Sequence, residues 1–150
     1  MQDVVRIDFV RQSSWTLPVP FSVSHLSELR AGIYPSSAVL LSVGLDIDRD
    51  ALMQQNPTNK ISEERVPSGV LHTHTLQIPV ERGFQTIREA EKSLQENDFY
   101  VVLYTYAGTR FLLYSLPNTC QFSIEEQQGQ SATMTVKTTV KSMSGAIRLL

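Results

Sequence analysis

Residues 131–141 read S-A-T-M-T-V-K-T-T-V-K, and their apolar and polar positions alternate. Ala132, Met134, Val136, Thr138 and Val140 fall on one side, and Ser131, Thr133, Thr135, Lys137, Thr139 and Lys141 on the other. A period of two marks a strand with one packed face and one wet face. Three strand-like runs come before it. Residues 99–106 (F-Y-V-V-L-Y-T-Y) are apolar or aromatic on both faces, which predicts an inner strand. Ala107 and Gly108 turn the chain, and residues 110–116 return as the partner. Pro117 and Asn118 make the next turn, into 120–126 with Cys120, Phe122 and Ile124 on one face. Residues 127–130, with Gly129, make a third turn. This order predicts an antiparallel meander over the last third of the chain.

A helix is predicted ahead of the meander. Residues 83–97 carry Phe84, Ile87, Ala90, Glu91 and Leu94, an amphipathic stripe with one polar interruption. Asn97 suits its end, since asparagine tolerates the left-handed conformation found there. Residues 71–80 are β-like and expected to stop near Pro79. In the first half, residues 4–10 suit a first strand, and Leu17-Pro18-Val19-Pro20 enforces extended or turn backbone. Residues 24–30 suggest a short helical turn with Ser24 as its N-cap and Ser27 at the third position. Residues 38–45 (A-V-L-L-S-V-G-L) form a continuous apolar run of strand length, expected to be buried on both faces. Residues 46–67 are polar, contain Pro57 and Pro67, and read as a long loop. Residues 146–150 suit a final short strand. The expected fold class is α+β: an antiparallel β-meander or sandwich with one amphipathic helix packed on the sheet, in a single domain spanning 1–150.

Composition narrows the function classes. The chain has 150 residues, 41% of them apolar, and a formal net charge of −2. That balance gives no basic stripe for phosphates, so nucleic acid is not an expected partner. One cysteine, Cys120, excludes an internal disulfide. The first residues, M-Q-D-V-V-R-I-D-F-V-R, lack the charged start and apolar core of a signal peptide, and no apolar run is long enough to span a bilayer. The expected location is cytoplasmic, or within an assembled particle, with no membrane partner.

Candidate chemistry is sparse. His72-Thr73-His74 puts two imidazoles on one side of a strand, a spacing that can hold one divalent metal. It is similar to the first metal motif of zinc-dependent deubiquitinase-like hydrolases, which follow it with a serine and an aspartate; residues 75–85 contain neither. A third ligand would have to come from His25 or from Asp46, Asp48 and Asp50. Catalytic zinc takes three protein ligands, so half-exposed strand histidines are the favoured reading. Asp46, Asp48 and Asp50 also imitate the opening of a calcium loop, but Ala51 and Pro57 stand where glycine and glutamate are needed. Cys120 alternates with core residues and reads as structural. Phe99, Tyr100, Tyr104, Tyr106, Phe111 and Tyr114 crowd one hairpin; they could stack on bases or sugars, and cross-strand packing explains them more simply. The seven glycines form no phosphate loop. No catalytic, cofactor-binding or metal residue, and no cofactor, is assigned.

The second half, residues 70–150, resembles prophage-borne phage tail and virion structural proteins. The resemblance rests on the helix ending in L-Q-E-N-D-F-Y, the hairpin V-V-L-Y-T-Y-A-G-T-R-F-L-L-Y-S-L-P-N, and the threonine-rich strand S-A-T-M-T-V-K-T-T-V-K-S-M-S-G. It implies a non-enzymatic structural or assembly protein, a phage tail or head–tail component. Its partners would be other protein subunits, in a homo-oligomer or as virion components, docked through β-sheet surfaces. If the strand at 131–141 lies at a sheet edge, its unpaired backbone is the template, and Lys137 and Lys141 oppose uncontrolled pairing. Two other readings stay open: a metal-dependent hydrolase using the His72/His74 pair, and a ligand-binding module using the hairpin aromatics.

Overall fold

The computed structural model describes residues 3–18, 26–45, 51–81, 85–126 and 133–150. Among the described residues, eleven strands and one α-helix follow in the order β1 (Val4–Arg11), β2 (Glu28–Leu29), β3 (Val39–Gly44), β4 (Ala51–Leu52), β5 (Thr58–Val66), β6 (Gly69–Glu81), α1 (Gln85–Glu96), β7 (Phe99–Thr105), β8 (Arg110–Leu113), β9 (Gln121–Glu125), β10 (Thr133–Ser142) and β11 (Ile147–Leu149). They build two sheets. The larger runs β2-β11-β8-β7-β1-β3-β4 and the smaller β5-β6-β10-β9. Pairing is antiparallel except where β2 meets β11 and β3 meets β4. The fold is an α+β sandwich.

Its core fills the space between the sheets. Ile7, Phe9, Leu41, Val43, Val101 and Leu103 of the larger sheet meet Leu76, Ile78, Val80, Phe122, Val136 and Val140 of the smaller one. Phe9 sits edge-on to Phe99 at 5.5 Å and to Phe122 at 5.7 Å, locking strands of both sheets to one ring. Helix α1 packs against β9 and β3 and adds Ile87, Ala90 and Leu94 to this core. Those three positions belong to the predicted stripe. Asn97 ends the helix differently from expectation: its side-chain amide donates to the Ser93 carbonyl at 2.8 Å, and its φ is not positive. The left-handed asparagine is Asn118, in the turn after β8.

A second apolar cluster covers the other face of the larger sheet. Trp15 lies edge-on to Tyr34 at 4.9 Å and to Tyr100 at 6.0 Å, with Val10, Val102, Leu112 and Ile147 beneath. Strands β7 and β3 are therefore covered on both sides, as their continuous apolar runs require.

The meander stops at Pro117. β7 and β8 pair as predicted, whereas β9 and β10 belong to the smaller sheet. The two patterns differ for a physical reason. A strand apolar on both faces needs a layer on each side, and a strand apolar on one face can be that layer. β10 keeps the predicted faces, with Met134, Val136, Thr138 and Val140 buried. It is an inner strand, flanked by β6 and β9, so the edge considered for it lies elsewhere.

Three further expectations change. β6 runs through Pro79 to Glu81. Residues 28–29 form a short strand on β11 instead of a helical turn, while Ser24 and His25 lie outside the described residues. Of the expected loop 46–67, the described residues 51–67 are mostly strand, because β5 pairs along its whole length with β6 through a two-residue turn at Pro67 and Ser68. Asp46, Asp48 and Asp50 lie outside the described residues, as do Phe84 and the turn at 127–130.

Candidate functional site

A β-strand at a sheet edge offers a row of unpaired N–H and C=O groups, and proteins shorten, cover or charge such rows. The larger sheet ends in β2 and β4, each two residues long. The smaller sheet ends at β9, which helix α1 flanks, with the Gln95 amide donating to the Phe122 carbonyl at 3.4 Å. Its other end is β5, nine residues long and exposed from Thr58 to Arg65. Among the described residues β5 is the one long edge left uncovered. It and the first residues of β6 stand out from the core as a hairpin, with Ile61 49% exposed.

The register fixes which groups face outwards. Val66 and Gly69 close the turn as a pair, so the hydrogen bonds to β6 alternate back along the strand. Glu64, Ser62, Lys60 and Thr58 then bond β6, and the backbone of Arg65, Glu63, Ile61 and Asn59 points away from it. The side chains sort independently: Asn59, Ile61 and Glu63 share a face with His74 and His72, and Lys60, Ser62 and Glu64 share the opposite face with Thr75 and Thr73.

His72 and His74 do lie on one face, their rings stacked with centroids 6.3 Å apart. Their surroundings differ. His72 has Nδ1 3.5 Å from a carboxylate oxygen of Glu63. His74 is fully buried, with Nε2 3.5 Å from the Ser144 carbonyl and Nδ1 without a hydrogen-bond partner among the described residues. Burial pushes the His74 pKa below its ordinary value, with the neighbouring His72 adding to that and the Ser144 bond opposing it. Among the described residues, no three His, Cys, Asp or Glu side chains are grouped to hold a metal ion.

The polar cluster that sequence reasoning missed surrounds Asp8, on the outer face of the larger sheet. Asp8 is 0% exposed. Arg6 grips it with two bonds, Nε to Oδ1 at 2.8 Å and Nη2 to Oδ2 at 2.7 Å. The Ser42 hydroxyl donates to Oδ1 at 2.7 Å, and the Tyr34 hydroxyl donates to Oδ2. Tyr34 and Tyr104 oxygens are 2.7 Å apart, and the Arg6 guanidinium lies 4.5 Å from the Tyr104 ring centre. Burial works to lower the Arg6 pKa, but the bonds and charge of Asp8 raise it overall. Burial and then the Asp8 bond push the Tyr34 phenol far up. The cluster holds Arg6 charged and Tyr34 neutral and gives the Asp8 carboxylate four donors, an arrangement suited to pinning the 31–38 segment onto the sheet. The sequence signal was an aspartate at an inner position of an apolar strand, V-V-R-I-D-F-V.

The hairpin aromatics do not form one platform. Tyr100 and Tyr114 pack together at 5.3 Å in the second apolar cluster, Tyr104 joins the Asp8 network, and Tyr106 is 85% exposed at the turn. Cys120 is half-buried, its thiol donating to the Phe99 carbonyl at 3.2 Å, and burial raises its pKa. A polar cleft of about 420 Å³ opens near the ends of β1 and α1, lined by Arg11, Glu96, Asp98 and Tyr100. Beside it the Gln12 amide is committed to the Ser115 and Phe99 carbonyls. Among the described residues no helix is long and apolar enough to cross a membrane. No family model, no curated protein and no solved structure matches this chain.

Proposed function

We propose that this chain is a non-enzymatic structural subunit, a phage tail or head–tail component, that works by docking through its sheet edge. The observation that carries the reading is β5: nine residues of one-sided strand, eight of them exposed, beside edges that are short or flanked by a helix. Adding a strand there supplies a row of backbone hydrogen bonds at once, the mode known as β-augmentation. Charges on β5 (Lys60, Glu63, Glu64 and Arg65) restrain indiscriminate pairing and leave room for a chosen partner. The threonine-rich outer face of β10 and the projecting hairpin add to the resemblance to virion subunits.

Ile61→Pro tests it. The Ile61 N–H points away from β6, so proline removes an outward donor and leaves the β5–β6 ladder intact. Light scattering of the purified full chain across a concentration series should show a species larger than the monomer, homomeric or with a co-purifying subunit. The variant should melt like the wild type and lose that species. Assembly that survives Ile61→Pro, or a wild type that is monomeric throughout, would overturn the reading.

A further inference from the structure

Resting on the reading that β5 is a docking edge, we infer that its occupant is a second copy of the same chain, paired antiparallel about a two-fold axis through Ser62. Closed two-fold contacts are self-complementary, so residue i faces j and j faces i. An axis perpendicular to the sheet must pass through a residue facing its own copy, because facing side chains share a side of the sheet. The allowed registers are therefore spaced two residues apart.

Among them, the one centred on Ser62 stands out on two independent grounds. The strand runs from Thr58 to Val66, so only this register overlaps all nine residues, with Thr58 opposite Val66 at both ends. It also sets Lys60 of each copy opposite Glu64 of the other, twice over, on the outer face. Opposite charges at directly facing positions favour pairing and like charges oppose it. Among the described residues neither Lys60 nor Glu64 has an ionic partner in its own chain, and across the ladder they face Thr75 and Leu71. On the inner face Ile61 comes opposite Glu63, whose carboxylate is already turned to His72, so the isoleucine meets the methylene stem. Shifting the axis to Glu63 sets that carboxylate against its own copy. Shifting it to Ile61 sets Lys60 against Ser62 and Glu64 against Thr58, and both ion pairs are lost. The product is one continuous sheet of eight strands, two four-stranded sheets joined edge to edge.

Charge reversal tests the register. Sedimentation at low ionic strength should show Lys60→Glu and Glu64→Lys each weakening the dimer by about tenfold or more, since each reversal creates two like-charge pairs. An equal mixture of the two variants should recover wild-type affinity, because every facing pair in the mixed dimer is again opposite in sign. The double variant should recover it alone. Melting temperatures report whether each variant remains folded. A dimer indifferent to either reversal, or a mixture no tighter than its components, overturns the inference. If in that case Ile61→Pro still abolishes assembly, the docking edge stands and only its occupant or register is wrong.

Discussion

Replacing Arg6 with methionine removes the charge from one side of a buried ion pair while keeping most of the aliphatic stem. Asp8 is 0% exposed, and the substitution takes away two of its four donors, leaving the Tyr34 and Ser42 hydroxyls. Breaking a buried pair from one side costs about 3–5 kcal/mol, because the remaining charge is stranded. The Arg6 side chain is itself 26% exposed, so water can enter the space it leaves, and the low end applies. Loss of the contact with Tyr104 adds about 0.5–1 kcal/mol. We expect about 3.5–4 kcal/mol in total. For a chain of this size that lowers the melting temperature by roughly 7–16 °C. Urea unfolding is the suitable assay, since guanidinium would screen the pair being measured. Asp8→Asn should cost less, because the freed guanidinium can reach solvent. The double variant should be more stable than the sum of the single costs implies, by more than 1 kcal/mol on the scale typical of coupled neighbours. A cost below about 1 kcal/mol for Arg6→Met, or a strictly additive cycle, would refute the reasoning and put the pair with ordinary surface ion pairs.

Other positions give simpler tests. Leu103→Ala, at a side chain 1% exposed in the inter-sheet core, should cost about 2–5 kcal/mol by urea unfolding, and Lys137→Ala on the outer face of β10 well under 1 kcal/mol. Similar small costs at both would show the face assignment of the sandwich to be wrong. Stability should also depend on His74. The unfolded chain takes up a proton near pH 6.5, while burial keeps the folded imidazole neutral to lower pH. Below pH 6.5 the unfolded state binds the extra proton, so stability falls with pH, by at most about 1.4 kcal/mol per pH unit, and levels off once the folded pKa is passed. His74→Leu should remove that component, read as the difference between wild-type and variant melting curves from pH 7.5 to pH 5. Parallel curves would show that His74 titrates normally.

The elements legible in the sequence were those whose burial imposes a period. The one-sided alternation of β10, the two-sided apolar run of β7 and the Ile87, Ala90 and Leu94 stripe of α1 all state which faces must be covered. Those same patterns also distinguish the covered layer from the covering one. Adjacency in sequence suggested a single meander, and the contrast between β7 and β10 argues for two sheets. β5 was illegible because a strand exposed on both faces has no hydrophobic period; its existence follows from pairing to β6. The candidate edge is therefore hidden inside an expected loop, while the regular alternation belongs to β10, an internal strand. Asp8 was overlooked for the opposite reason. Its partners Tyr34, Ser42 and Tyr104 come from separate parts of the chain, and only the folded sheet brings them to one carboxylate.

The docking edge is tested most directly by hydrogen exchange along the hairpin, measured on dilute and on concentrated, assembled protein. Backbone amides of Asn59, Ile61, Glu63 and Arg65 should exchange quickly when dilute and become protected on assembly. Those of Lys60, Ser62 and Glu64, bonded to β6, should change little, as should β9 beneath its helix. Fast exchange at the four outward amides in the assembled state would contradict the account, because the surface that holds the copies together would then lie elsewhere.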